Sequence, residues 1–512
     1  MTRAGETDNN GEVTYSDGLG TEYAIKNATL IIFDNETNED EAKFVGAYNI
    51  NTSPWTGGTS NNVTEMSTKV VRLVSSDVTA GYKALIVLNH NNILTVADDG
   101  GLSVNGTAFT ATSTYADYKS EAEAQAGTVY DQIFVERGVA KVTVAEANGT
   151  MTNSKVGTTP DLKWQVTGWV LDNPAPTTYL VRSTVDDDNF RKLKSNATTP
   201  ATAGVYRYIG NTEVKDGANG STGKYRTYFA PSVSYDTWAA SGTYTLNTYT
   251  SGDFATTFGE NYPKYCYENT FKVDNQTVKN TTLVQLAITA KQGTDAVDLY
   301  TLSGQKSTVY TKDLLEAAIK EAAYYVLLGD GVVFNAAFGT SDITVTMPAT
   351  SKRGTVILSS SDEAGIKVQP NTAKIASGYI ETDFYTNLSA TLGTISCYKD
   401  GVSYYSVRIK HFGDNLTPWN GNEYGTGTAP ASGDIAAIYP NNSSNRDGDY
   451  LGRYGVLRNN WHDIQVNSVR SLGDAEPHTG IWPDTPDDEL DNYLAFRINV
   501  LSWAKRTQGV NL

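Results

Sequence analysis

The chain has 512 residues, with 40 basic against 57 acidic side chains and a net charge of −17. Such a polyanion repels nucleic-acid phosphates and acidic lipid surfaces. Two cysteines, Cys266 and Cys397, are too few for a disulfide framework or a zinc site of their own; a single disulfide and two separate thiols both remain open.

Thr, Asn, Gly and Tyr dominate, with 45 Gly and 32 Tyr, a balance that favours strands joined by turns. No apolar run reaches the roughly 18 residues of a membrane helix. The opening MTRAGETDNNGEV holds no signal-peptide core, which fits a cytoplasmic chain or a processed form. Residues 1–21 are polar and Gly-rich and read as a flexible segment.

Apolar periodicity then predicts strands at Tyr23 to Phe33, Lys69 to Val74 and Tyr82 to Leu88, with a short helix over Asn38 to Tyr48. A capped surface helix is expected over Thr114 to Ala126. Ile133 to Val144 reads as a strand kinked at Gly138, and further strands follow at Leu162 to Leu171 and Tyr179 to Arg182. Periodicity lapses around Asp186-Asp187-Asp188, which puts a domain boundary near residue 184. Beyond it, strands are expected at Lys224 to Phe229, Tyr244 to Tyr249, Tyr265 to Lys272 and Thr281 to Ala290. Asp313 to Leu328 reads as a helix, with a capping-box spacing of Asp313 and Glu316 and a stop at Gly329. Asp400-Gly401 between two apolar runs signals a hairpin over Ser396 to Ile409, and Leu457 to Leu472 gives another strand. The class is mainly β, and the expected architecture is sandwiches with a few helices.

Motifs for chemistry are sparse. His90, His411, His462 and His478 show no metal-ligand spacing, and no G-x-S-x-G elbow occurs. Ala218 to Lys224 (ANGSTGK) approaches a phosphate loop, but Tyr225 replaces the required Ser/Thr and strand-like YRTYF follows. Asn445 to Asp449 (NRDGD) reads as a turn, since Tyr454 stands where a calcium loop needs its Glu. Asp186 to Asp188 and Asp487 to Glu489 read as solvated charge runs. Trp164 and Trp169 are expected to pack rather than to stack on sugars. No catalytic residue, metal or cofactor is expected.

The end of the chain is different. Leu494, Phe496, Ile498 and Val500 alternate with Ala495, Arg497 and Asn499, and Leu501 and Trp503 continue in the opposite phase, so a bulge or break is expected near Val500 and Leu501. The stretch Asp474 to Asp491, with Pro477, Pro483 and Pro486, has linker composition. An apolar strand on a tether must pair in its own sheet or in another's.

Three groups of residues resemble the fimbrillin family of Bacteroidales, the shaft subunits of type V pili such as the Porphyromonas major and minor fimbriae. The first is Val135-Glu136-Arg137-Gly138-Val139-Ala140-Lys141. The second is Tyr265 to Thr270 with Thr281 to Val284, then Tyr404-Tyr405 through Ile409 to Phe412. The third is Val456 to Asn460 with Ile464, Val466, Ser468 and Val469, followed by the linker and the terminal strand; His462 departs from the family's aromatic at that place. The resemblance implies two transthyretin-like β-sandwich domains, residues 22–184 and 185–473, and a linker plus donor strand over 474–512. It implies a lipoprotein precursor at the outer membrane, cut by an Arg-specific protease, for which Arg3-Ala4 fits, so that the first domain loses a strand. The resulting groove accepts the C-terminal strand of another copy, whose anchors here are Leu494, Phe496, Ile498, Val500, Leu501 and Trp503. Ala28, Leu30 and Ile32, on one face of the first strand, are expected near that groove. The implied partners are further copies in a homopolymer, anchor and tip subunits and a host or bacterial surface receptor, with adhesion and colonisation as the role. A surface adhesin on the same fold is the alternative.

Overall fold

Ala28–Asp34 (β1, ATLIIFD) is apolar on both faces, and the fold buries both. The computed structural model describes residues 25–34, 43–50, 56–57, 64–65, 82–90, 92–108, 138–151, 155–156, 162–179, 232–233, 249–270, 277–361, 365–409, 454–458, 460–482, 495–502 and 505–511. Within it β1 lies between Phe44–Ile50 (β2) and Tyr82–Leu88 (β3), antiparallel to both. Ile31 and Phe33 pack with Ala47 and Leu85 against Leu94 and Leu102, from the short strands Leu94–Val96 (β4) and Leu102–Val104 (β5). Ala28, Leu30 and Ile32 cluster with Ile50 on the other face. The buried Thr29 hydroxyl donates to Asn49 Oδ1 at 3.1 Å and lies 3.1 Å from His90 Nε2, so His90 is a structural residue.

The helix expected over Asn38 to Tyr48 is overturned at its described end, where β2 begins at Phe44. Phe44, Val45, Gly46 and Tyr48 are modest helix formers, and the ladder to β1 satisfies their backbone groups instead.

The next body draws its strands from far apart. Val139–Val144 (β6), Asn148–Met151 (β7), Leu162–Asp172 (β8), Lys264–Tyr267 (β9) and Leu283–Lys291 (β10) come first. A lobe follows, made of Leu299–Leu302 (β11), helix Lys312–Gly329 (α1), Ile343–Thr346 (β12), Gly354–Val356 (β13), Lys367–Pro370 (β14), helix Glu381–Leu392 (α2) and Ile395–Tyr398 (β15). Val402–Arg408 (β16), Asn460–Ser468 (β17), Ala495–Ser502 (β18) and Lys505–Asn511 (β19) close the chain. One sheet has the order β7-β8-β10-β16; the other runs β9-β6-β17-β18-β19, with β17 also paired to β19. The two share one core, from Ala140 and Val142 on β6 through Trp164, Leu286 and Val407 to Leu472. Strands before and after residue 184, the boundary expected from composition, therefore lie in the same sheets.

Two local features differ from the sequence pattern for clear reasons. Trp164 and Trp169, five residues apart, belong to opposite faces of a flat strand, yet both lie in the core. A register shift between Val166 and Gly168 inserts one residue and turns Trp169 inward. The hairpin expected across Asp400-Gly401 does not form: β15 pairs with β11 and β13, while β16 pairs with β10. Asp400 and Gly401 take left-handed φ values of 56° and 68°, and the turn carries the chain from the lobe's sheet to the sandwich.

The lobe, residues 292–401, is thus inserted between the neighbouring strands β10 and β16. It has its own core, in which Leu315, Ile319, Ala323 and Leu327 of α1 meet Phe384, Leu388 and Leu392 of α2. Helix α1 ends at Gly329 as expected, but its N-cap is Thr311 and not Asp313, which sits in the first turn where a carboxylate favours the helix dipole. Tyr179 lies outside any strand. The expected elements at Lys69 to Val74, Thr114 to Ala126 and Lys224 to Phe229 fall outside the described residues. Cys266 and Cys397 are buried free thiols in separate cores. The fold is mainly β, and among the described residues no helix is long and apolar enough to cross a membrane.

Candidate functional site: the terminal strands, their strap and an open sheet edge

β17 anchors the C-terminal region. It pairs in parallel with β6 on one side, from Trp461↔Lys141 to Ile464↔Val144, and in parallel with β19 on the other, from Trp461↔Lys505 to Ser468↔Asn511. β18 returns antiparallel along β19 and touches β17 only at Asn460↔Ser502. The terminal segment therefore forms two strands, and β18 runs through Val500 and Leu501, where a bulge or break was expected. Phe496, Ile498, Val500 and Leu501 lie in β18; Leu494, Trp503, Arg3 and Ala4 lie outside the described residues.

The approach to β17 is a buried polar node. Arg458 Nε donates to Glu268 Oε2 at 3.1 Å, with both side chains almost fully buried, and its Nη2 donates to Thr178 Oγ1 and the Tyr179 carbonyl at 3.0 and 2.9 Å. Asn460 Nδ2 donates to the Arg458 carbonyl at 2.9 Å. On one face of β17, Trp461 Nε1 donates to Thr143 Oγ1, which donates to Asp463 Oδ1 at 2.6 Å, and the Lys141 ammonium sits 4.2 Å from the Trp461 ring. His462 shares the other face with Ile464 and Val466, both in the core. Its two ring nitrogens find no hydrogen-bond partner among the described residues, and burial holds its pKa down to about 3, so the imidazole is neutral.

The stretch after β17 is where composition misleads. Residues 474–491 have linker composition, yet Ser471 to Trp482 form a strap stapled to both the sandwich and the lobe. The strap backbone pairs with β16, with Tyr404 and Asp474 exchanging N–H···O bonds at 2.8 Å each way. Tyr398 Oη donates to the Gly473 carbonyl at 3.1 Å, and Tyr405 Oη to the Ser471 carbonyl at 2.7 Å. Gln285 grips the His478 backbone, accepting from its N–H at 3.0 Å and donating to its carbonyl at 3.2 Å. Trp482 Nε1 donates to Asp172 Oδ2 at 3.0 Å; Asp172 also accepts from Gln285 and Tyr249. The His478 and Trp482 rings stack at 3.5 Å. Asp172, Gln285 and Trp482 escaped sequence reasoning, although a lone Trp amid Pro and Asp was the available signal.

The first sheet offers an edge. β3 pairs with β1 on one side, and among the described residues no strand pairs on its other side. Its residues are apolar on both faces: Ala84, Ile86 and Leu88 pack with the Ala28, Leu30 and Ile32 cluster, and Leu85 and Val87 with the opposite one. Ala28, Leu30 and Ile32 thus share a face, as their spacing requires, one strand in from that edge.

The chain is thus mainly β, and its terminal strands are seated beside β17 behind a stapled strap. Residues 437–509 match the family model described as major fimbrial subunit protein type IV, fimbrillin, C-terminal. That stretch takes in β17, the strap, β18 and most of β19, and it supports a fimbrial subunit of the fimbrillin type. The family is one of structural, cell-surface pilus subunits that polymerise with other subunits. No curated protein matches the chain.

Proposed function

We propose that this chain is a structural subunit of a pilus shaft that polymerises with further copies of itself by donating its C-terminal strands, serving adhesion and colonisation. The observation that carries the reading is the fimbrillin match over β17 to β19, because it takes in β18 and β19, the strands at the outer edge of their sheet. β-Augmentation supplies main-chain hydrogen bonds while alternate side chains fill pockets. Leu494, Phe496, Ile498 and Val500 contribute roughly 1.5–3 kcal/mol each on burial, as an upper estimate, with Leu501 and Trp503 adding to them. Such a head-to-tail contact need not close on itself and so generates filaments.

The acceptor in this reading is the first sheet, along the open edge of β3 and beside Ala28, Leu30 and Ile32. An Arg-specific protease acts at Arg3-Ala4 on a lipoprotein precursor at the outer membrane and removes the strand that first filled this place. The pairing of β19 with β17 is then the resting seat of a tail that leaves to reach a neighbour. Anchor and tip subunits terminate the filament, and a surface receptor is its target.

Deleting residues 492–512 is expected to leave a folded monomer that yields no filaments in negative-stain electron microscopy. Filaments from the truncated protein would sink the donor assignment.

A further inference from the structure

The lobe inserted between β10 and β16 touches the strap at the point where the strap leaves the sandwich. Arg353, just before β13, is the central contact. Its Nη1 donates to the Val402 carbonyl at 2.8 Å and to the Ala475 carbonyl at 3.4 Å, and its Nη2 to the Lys399 carbonyl at 3.1 Å. The guanidinium carbon lies 5.3 Å from the centre of the Tyr404 ring. One side chain therefore joins the lobe, the crossover turn, β16 and the strap. Lys306 of the lobe adds a second tie, with its ammonium 2.6 Å from Asp474 Oδ1 and its carbonyl accepting from Leu472 N–H at 3.2 Å. The Glu476 carboxylate fills the space beside Gly354, where a Cβ would stand 2.6 Å from its carboxyl carbon. At Gly473 any Cβ would run into the Tyr404 carbonyl, so the strap lies flush on β16.

We infer that the inserted lobe is the positioning element of the tail: Arg353 and Lys306 clamp the strap so that the tail departs from Trp482 in a fixed direction. This inference rests on the reading of the tail as a donor to a second copy of the chain. The chain between Trp482 and Ala495 is about 12 residues, against about 22 if the strap were loose from Gly473. At ~3.3–3.6 Å per extended residue the maximum reach falls from roughly 75 Å to roughly 40 Å. A flexible tether's effective concentration scales as about the −3/2 power of its length, so the shortening yields only a ~2.5-fold gain. The clamp thus adds little to affinity. Its consequence is geometric: every copy releases its tail from the same point, which narrows the range of angles open to successive subunits.

The test uses the full chain with Arg353→Met and, independently, Trp482→Phe, which keeps an aromatic ring and removes the donor to Asp172. In the monomer, hydrogen exchange at residues 473–476 is expected to quicken at least 10-fold in Arg353→Met, and at 478–482 in Trp482→Phe, with the α1 and β10 amides unchanged. Filaments of either variant are expected to keep the wild-type subunit repeat but to bend more, with a shorter persistence length in electron micrographs. Unchanged exchange in the strap overturns the clamp. Faster exchange with wild-type stiffness overturns the directional role. Absence of filaments from the unaltered chain overturns the shaft reading instead, while the exchange data still decide the clamp.

Discussion

At the scale of single residues, His462 is the most informative position. A buried polar atom without a partner costs about 1–3 kcal/mol, and His462 carries two such nitrogens. Replacing it with Phe, which is apolar and close in shape, is expected to stabilise the monomer at pH 7 by about 1–3 kcal/mol, read as a shift in the urea midpoint. The pH dependence follows from the same burial. The folded imidazole does not take a proton until about pH 3, whereas the unfolded one does so near 6.5. Between those values the unfolded state binds more protons, so stability falls as pH falls, by up to about 1.4 kcal/mol per unit from this group. His462→Phe should flatten that limb, and equal acid slopes in the two proteins would refute the assignment. The sequence flags His462 as a departure from an aromatic position in the fimbrillin pattern. It does not reveal that both ring nitrogens are buried without a partner among the described residues, because that depends on the sheet packed across from β17.

At the scale of elements, period-two and period-3.6 patterns locate β1, β3, β8, β10 and α1 close to where they fold, since each buries a continuous apolar stripe. The misses come from pairing over long distances. Apolar runs on either side of Asp400-Gly401 look like a hairpin, but each finds a better partner elsewhere, β15 in the lobe and β16 in the sandwich. The bulge in β8 is similarly silent in a flat pattern, apart from Gly168 as a hint. A Cβ at Gly168 would lie 2.9 Å from Phe254 Cβ. Gly168→Ala is therefore expected to destabilise the fold by about 1–3 kcal/mol through overpacking, measured by denaturant unfolding. An unchanged midpoint would mean that the bulge relaxes without moving Phe254.

At the scale of the whole molecule, the strands proposed to join monomers are separate from most of what holds the monomer together. The strap was illegible because Pro, Asp and Gly between apolar elements read as tether, while its grip comes from Asp172, Gln285 and Arg353, each distant in sequence. The terminal segment was legible as one apolar strand, but neither the second strand β19 nor its parallel seat on β17 was. That seat has a consequence for stability. β17 is central, flanked by β6 and β19, and Ile464 sits in the common core, so Ile464→Ala should cost about 2–5 kcal/mol and lower the melting temperature by several degrees. β18 is reached mainly through β19, so its loss leaves the ladder between β17 and β6 intact. Phe496→Asp is accordingly expected to leave the monomer melting temperature within about 1 °C of wild type, the effect of ~1 kcal/mol in a chain of this size, while abolishing filaments in electron micrographs. The two substitutions discriminate by their ratio. A melting loss for Phe496→Asp as large as that for Ile464→Ala would make β18 part of the monomer's own core and remove it as a donor.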